Sequence, residues 1–486
     1  MASLEELRTV RINKMKILEK DGMNPFPARI PRDYSLAEVK AKFVDLEKGT
    51  VPASVAGRVM AIRGQGAIFF VVLDDGTAKF QAVFKKDSVD EKLLELFNNA
   101  VDIGDFISVT GKFFTTQRGE QSIEVKTWTI GTKAILPLPE KWHGIQDEEE
   151  RLRKRYLDIL TNPETKEMIV RRSVFWQSMR QFLLDRGFLE VETPILENIA
   201  GGADARPFTT HHNALDLDVY LRISDELWLK RLMVAGFPKV FEIGRIFRNE
   251  GMDAEHLQDY TQMEFYWAYE DYNAGMKLVE EMYKFIAEKT FGKLEFKIKG
   301  FDVDLNKKWE IFDYIETVKK MAGLDITDAK LEDIVKKLQE LKVEYDSKGL
   351  NTARAVDTLW KYCRKQIAGP GFLINVPVFL EPLAKRKEDN KNLVERFQII
   401  LAGSEMGKGF SELNDPLDQA GRFEEQAKLR AAGDEEAQMN DTDFVEALEH
   451  GMPPTCGFGV SERLFSFLMD KPVRECQIFP LLRPKK

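Results

Sequence analysis

Residues 239–266, KVFEIGRIFRNEGMDAEHLQDYTQMEFY, decide how the rest of the chain is read. Two strand-like runs, KVFEIGRIFR and YTQMEFYWAY, bracket a polar loop and predict a long hairpin. In a strand, side chains two apart share a face, so Glu242 and Arg248 fall on one face of the first run. Glu264 and Tyr266 likewise share a face of the second. An arginine opposite carboxylates is costly to bury unless the charges are paired or meet a charged ligand. A salt-bridged surface sheet and a charged-ligand site both fit this hairpin taken alone.

Working outward from it, strands and helices alternate irregularly from residue 188 to the C-terminus. There is no regular βαβ pattern and no G-x-G-x-x-G after a strand. That predicts an α+β domain on a mostly antiparallel sheet. Upstream, residues 147–187 have helical periodicity, preceded by a proline-bearing linker, KAILPLPEKWHGIQDEEE. From about 52 to 135 the runs become short and alternating, separated by DDGT and QRGEQ, with one helical insert, VDEKLLELFNNA. Five such strands suit a small closed barrel of the oligonucleotide-binding type. Residues 4–20 read as a charged helix stopped by Gly22, Pro25 and Pro27. The expected division is a helical extension at 1–50, the barrel at 51–135, a linker at 136–165 and a catalytic domain at 166–486.

At 486 residues the chain has room for two or three cores. No apolar run approaches the ~20 residues that span a bilayer, so no membrane association is expected and a cytoplasmic protein is. The three cysteines, Cys363, Cys456 and Cys476, have neither C-x-x-C nor histidine at ligand spacing, which points to buried thiols. A net charge of −9 argues against non-specific coating of nucleic acid, although a local basic surface suffices for a specific RNA. Residues 430–441, RAAGDEEAQMND, read as a solvated acidic segment.

Three motifs surround the hairpin. FRNEG within it matches motif 2 of the class II aminoacyl-tRNA synthetases. FLLDRGFLEVETPIL, with Pro194, matches motif 1, and GFGVSERL, a glycine-bent strand entering a helix at Arg463, resembles motif 3. Further segments narrow the match: RINKMKILEKDGMNPFP, HGIQDEEERLRKRYLDI, GGADARPFTTHHNALDLDVYLRIS, GFSELND and ALEHGMPPT resemble the bacterial class II lysyl-tRNA synthetases. The resemblance covers nearly the whole chain and implies a homodimer, an anticodon-reading barrel and a sheet that makes lysyl-adenylate from L-lysine and ATP for tRNA(Lys).

What the resemblance implies can be laid on individual residues. Arg248 would bridge the lysine carboxylate and the α-phosphate, with Arg463 the second catalytic cation. Glu250 and His256 would lie along ATP, and Tyr260 and Arg463 would sandwich adenine. Gly202, Glu226 and Glu264 would receive the α-ammonium, Glu412 and Tyr266 the ε-ammonium, and Phe410 the aliphatic stem. Mg²⁺ would fall to Glu405, Gln398 and Glu412, although Gln398 carries no charge where the family has a carboxylate. In the barrel, Arg63, Phe70, Gln81 and Glu120 would read the middle anticodon base. Phe70 stacks it and the others meet its polar edges, as single-stranded RNA is usually read.

The segment GSEMGKGFSELND (403–415) superficially suggests a phosphate loop, G-x-x-x-x-G-K-[ST]. Its spacer is one residue short, Gly409 replaces the hydroxyl residue, and Glu405 and Glu412 flank the lysine. It reads better as a strand lining an amino-acid pocket, with Lys408 standing where the family usually has asparagine. Aspartyl- or asparaginyl-tRNA synthetases share the motifs but need a cationic or amide-reading pocket. A non-aminoacylating RNA-binding relative is the alternative of a different class.

Overall fold

The computed structural model describes residues 3–64, 68–139, 145–251, 253–347, 350–431 and 437–485. The chain divides into two compact units, Met1–Arg151 with Tyr156–Thr161, and Leu152–Arg155 with Asn162–Lys486.

In the first unit, strands Ala53–Arg63, Ile68–Asp74, Lys79–Lys85, Phe106–Thr115 and Gln121–Thr132 close into a five-stranded barrel. Alternation sorts the residues: Val71, Leu73, Phe80, Ala82 and Phe84 fill the barrel, which turns Phe70 and Gln81 outward. The expected insert forms the helix Glu91–Ala100, capped by Asp90. The N-terminal helix, Leu4–Lys20, begins with a capping box between Ser3 and Glu6. Arg11 donates to the Ala134 carbonyl at 3.0 Å and Lys14 pairs with Asp102 at 2.6 Å, which ties this helix to the barrel.

The second unit is built on an eight-stranded sheet. Its order is Glu310–Asp313, Gly371–Ile374, Arg396–Leu401, Ser404–Ser411, Thr455–Ser461, Asp259–Ala268, Lys239–Phe247 and Leu189–Glu190. All pairings are antiparallel except those of the two edge strands, in line with the expected α+β architecture. One face packs Met263, Phe265, Phe397 and Phe458 against Phe175, Phe182, Met282 and Ile286 of the long helices Pro163–Leu184 and Tyr272–Phe291. The opposite face carries the intervening residues Gln262, Glu264, Tyr266, Gln398, Phe410 and, just past its strand, Glu412. Strand alternation thus separates one apolar core from a buried polar cluster that lies beside a second apolar core on the other face.

Three sequence expectations need correction. The helical run of 147–187 is three helices, Glu148–Arg153, Arg155–Thr161 and Pro163–Leu184. Pro163 cannot continue a preceding helix because it lacks an N–H and its ring crowds the carbonyl four residues back. It instead opens a new helix, capped by Asn162 at 3.1 Å from the Glu164 amide. The acidic segment 430–441 is not simply a solvated face: residues 432–436 lie outside the described residues, and Ala437, Gln438 and Asp441 are buried. Asp441 caps the helix Thr442–Glu449 and pairs with Arg231 at 3.0 Å, so its charge is paired rather than solvated. Finally, the hairpin is as expected, but Arg248 lies one residue beyond its first strand and does not partner Glu242. The guanidinium on Glu242 belongs to Arg222, at 2.6 Å.

Candidate active site

The register of the central strands assembles the site. Tyr266 lies across from Gly457, which lies across from Phe410, and Glu264 lies across from Gly459, which lies across from Lys408. The two glycines leave the middle strand without side chains on this face, so their neighbours close over a hollow. A Cβ on Gly457 would collide with Glu412 and come within 2.7 Å of the Tyr266 ring. The resulting cavity, about 420 Å³, is lined by Gly202, Glu226, Arg248, Glu250, His256, Tyr260, Glu264, Tyr266, Gln398, Glu405, Lys408, Phe410, Glu412 and Arg463. Every residue placed in the lysine, ATP and metal sets on sequence grounds therefore faces one hollow. Gly202 sits at φ +84°, where a Cβ would stand 2.9 Å from that of Ser224, so only glycine brings its backbone this close.

One end of the cavity is anionic. Glu264 accepts from Tyr266 Oη at 3.0 Å, from Ser224 Oγ at 3.2 Å and from the Gln262 amide. Glu226 opens the helix Glu226–Val234 and accepts from Lys230 at 2.6 Å. Lys230 is fully buried and also pairs with Glu412, itself 1% exposed. Neither Glu412 oxygen has a well-directed hydrogen bond. Burial pushes the carboxyls of Glu226 and Glu412 upward against the pull of Lys230, those of Glu412 well above the usual range. Burial opposes the Lys230 charge too, but Glu226 and Glu412 outweigh it and hold its ammonium above the ordinary lysine value. Beside Glu264, Asp225 is completely buried, and its carboxyl faces that of Glu264 rather than a cation. Burial and the Glu264 charge raise its pKa far above the carboxylate range, so it is a neutral acid.

The other end carries cations and ring faces. Arg248 donates from Nε to the Ile223 carbonyl at 3.2 Å, and its guanidinium lies 5.7 Å above the Tyr260 ring. Arg463 is the first residue of its helix, and its guanidinium is held by Glu255. Glu255 is also paired with Lys299. Burial works against the Glu255 charge, yet Arg463 and Lys299 together hold its pKa below the usual value. His256 bonds Asp253 at 2.8 Å. Lys408 Nζ stands 3.3 Å from both oxygens of Glu381, a buried carboxylate that Arg396 also meets at 3.1 Å.

Among the described residues no three carboxylate, histidine or cysteine side chains form a ready metal cage. Glu405 accepts from Trp360 Nε1 at 2.7 Å through Oε1. Gln398 Oε1 is taken by Arg396. Such a donor set suits a hard cation that brings its own phosphate oxygens, as Mg²⁺ does with one or two carboxylates.

In the barrel, Arg63 lies across from Phe70, and Gln81 Nε2 donates to Ser122 Oγ at 2.9 Å. Ser122 Oγ in turn bonds the Glu120 carbonyl at 3.2 Å. The four residues therefore cluster on neighbouring strands and the turn beside them.

Sequence reading missed Lys230, Arg222, Asp225 and Glu381. Glu226 and Lys230 are four apart on a helix, a spacing that normally marks a solvated ion pair. The apolar residues Leu227 and Leu229 beside them were the available sign that this face is buried.

Comparisons with known proteins bear on the family. The family described as tRNA synthetases class II (D, K and N) matches residues 147–483, and an OB-fold nucleic acid binding domain matches residues 53–130. A lysine–tRNA ligase of Thermotoga sp. (strain RQ2) is 44% identical over 99% of this chain and 97% of the relative. Those of Moorella thermoacetica and Clostridium perfringens are 43% and 42% identical, over 99% of this chain and 98% and 97% of the relatives. With an oligonucleotide-binding barrel, residues of the second and third motifs lining one cavity and full-length similarity to these ligases, the chain belongs to the class II lysyl-tRNA synthetase family.

Proposed function

We propose that the chain is a lysine–tRNA ligase that activates L-lysine with ATP to lysyl-adenylate and passes the lysyl group to the 3′-terminal adenosine of tRNA(Lys). The observation that carries this reading is the anionic end of the cavity. Glu226, Glu264 and Glu412 are buried around the Tyr266 and Phe410 rings and form a receptor for two ammonium groups joined by an apolar stem. A buried carboxylate built for an ammonium rejects a neutral isostere, which would leave the charge unpaired. An aspartate or asparagine side chain would meet repulsion or no partner here.

In the reaction the lysine carboxylate attacks the α-phosphate of ATP, a P–O bond forms and pyrophosphate leaves. The nucleophile is ionised at neutral pH, so no general base is needed. Catalysis rests on positioning and charge neutralisation. Arg248 has the planar fork to bridge carboxylate and α-phosphate. Arg463 faces adenine with Tyr260 once it leaves Glu255, and Glu250 and His256 flank the nucleotide. Lys408 meets the substrate carboxylate as a point charge while Glu381 holds it, and Gly202 offers its backbone near the α-ammonium. Glu405, with Gln398 beside it and Glu412 deeper in the cavity, is the carboxylate placed to share Mg²⁺ with ATP; the ion would offset triphosphate charge. Arg63, Phe70, Gln81 and Glu120 read the middle anticodon base. We further propose a homodimer working in the cytoplasm, where its tRNA substrate is used.

Lysine-dependent exchange of pyrophosphate into ATP by the purified protein tests the reading. Exchange with lysine, and none with aspartate or asparagine, is expected. Exchange with either of those but not lysine overturns the substrate, and no exchange with any amino acid overturns the activity.

A further inference from the structure

Beside the substrate cavity lies a second hollow of about 340 Å³ that the chemistry above does not use. The two share a wall, since Asp204, Arg396, Gln398 and Glu405 line both. Tyr314 and Trp360 face the second hollow from the helices Tyr314–Ala322 and Thr352–Arg364, their rings 5.0 Å apart. Phe379 also lines it and is 51% exposed, a large ring presented to solvent. Tyr314 is 1% exposed, and its hydroxyl has no hydrogen-bond partner among the described residues. Buried hydroxyls are nearly always bonded, so a donor or acceptor carried by an occupant fits here.

The charges of the lining are matched within it. Lys361 pairs with Asp357 at 2.7 Å and Arg396 with Glu381 at 3.1 Å. With Arg354 there are three cations, and with Asp204 and Glu405 there are four carboxylates, which leaves one negative charge. Such a lining disfavours a phosphate and suits an uncharged, planar, hydrogen-bonding ring. A nucleobase is such a ring, and it stacks on an aromatic face whatever its identity. Position narrows the choice. Glu381 lines the second hollow and holds Lys408, which meets the lysine carboxylate in the first. An occupant is therefore brought close to the lysyl carbonyl, the carbon attacked when the lysyl group is transferred. At that stage Tyr260 and Arg463 still hold the adenine of the adenylate, so the incoming nucleoside needs a seat of its own.

We propose that this hollow seats the 3′-terminal adenosine of the tRNA, with its base on Phe379, the Tyr314 hydroxyl bonded to it and its ribose toward the shared wall. This rests on the ligase reading of the neighbouring site. The ribose hydroxyl oxygen bonds the lysyl carbonyl carbon, the bond from that carbon to the phosphate oxygen breaks, and AMP leaves with the hydroxyl's proton. The acceptor-strand phosphates stay outside, in keeping with the negative balance of the lining.

The test removes the nucleoside and the ring in turn. Intact tRNA(Lys) and the same tRNA lacking its terminal adenosine, each carrying a fluorophore away from the acceptor end, are titrated onto the full-length protein. Wild type is expected to bind the intact tRNA roughly tenfold more tightly, as one stacked base provides. Phe379→Ala should bind both equally, at the wild-type affinity for the shortened tRNA, and Tyr314→Phe should lose part of the difference. Lysine-dependent pyrophosphate exchange should stay at the wild-type rate in both variants, while single-turnover transfer from preformed adenylate slows at low tRNA. Equal binding of the two tRNAs by wild type overturns the proposal, as does an equal loss for both tRNAs in Phe379→Ala. A purine nucleoside also comes as free nucleotide: if wild type binds a second equivalent of ATP in equilibrium dialysis and Phe379→Ala does not, the tRNA assignment is overturned. Wild type without lysine-dependent exchange overturns the ligase reading itself.

Discussion

Glu197 offers a prediction whose size can be worked from the structure. It ends the short strand Leu196–Glu197, is buried, and accepts from Trp228 Nε1 at 2.6 Å. Trp228 sits on the helix that carries Glu226 and Lys230, so this bond fixes the helix at the base of the pocket. Burial, partly offset by the Trp228 bond and the Arg222 charge, lifts the Glu197 pKa from 4.5 to about 8. Because the folded-state value is raised, the stability Glu197 confers is fully present below 4.5 and is lost as pH climbs through about 8. Each pH unit within that window costs about 1.4 kcal/mol, so the whole window removes about 5 kcal/mol. Glu197→Gln keeps the acceptor for Trp228 and cannot ionise. Its own packing offset does not change with pH, so the slope is the observable. Urea unfolding of the second unit, followed by circular dichroism from pH 6 to 8, should show wild type losing about 3 kcal/mol more than Glu197→Gln. Parallel curves would refute the neutral carboxyl, and with it the claim that burial dominates at this position.

Other substitutions probe the site in the same spirit. Glu255→Gln releases Arg463 from its ion pair; a pair of this kind is worth about 1 kcal/mol, so the KM for ATP in pyrophosphate exchange should fall roughly fivefold with kcat little changed, and an unchanged KM counts against Glu255 holding Arg463. Asp225→Asn mimics the neutral acid and should alter stability at pH 7 by less than about 1 kcal/mol; a loss of several kcal/mol in denaturant titration means the residue is charged. Phe70→Ala removes an outward ring from the barrel and should raise the KM for tRNA roughly tenfold, as expected for one lost base stack, while lysine-dependent exchange stays at the wild-type rate. A fall in exchange instead would place Phe70 outside tRNA recognition.

Much of this was legible in the residue order because strands alternate. Met263 and Phe265 against Gln262, Glu264 and Tyr266 already assign a core face and a polar face, and short runs punctuated by DDGT and QRGEQ already describe a small barrel. Proline chemistry was the weak point: the pattern of 147–187 is helical throughout, and Pro163 marks the second of its two breaks. Partners were harder still. Glu242 and Arg248 satisfy the even-spacing rule, yet Arg222, more than a dozen residues away in sequence, reaches Glu242 first.

The sequence by itself determined the barrel, the hairpin and the faces of its strands, since periodicity and local turn chemistry are properties of neighbouring residues; the set of residues expected in the cavity came from the resemblance of its motifs to a known family. Only the tertiary structure decided which charges are paired and which are neutral. Glu226 and Lys230 at helix spacing look like a surface pair until Glu412, just past a distant strand, meets Lys230 and closes the cluster away from water. Ion pairing and protonation depend on burial and on groups brought together across long sequence separations, and no local pattern records either.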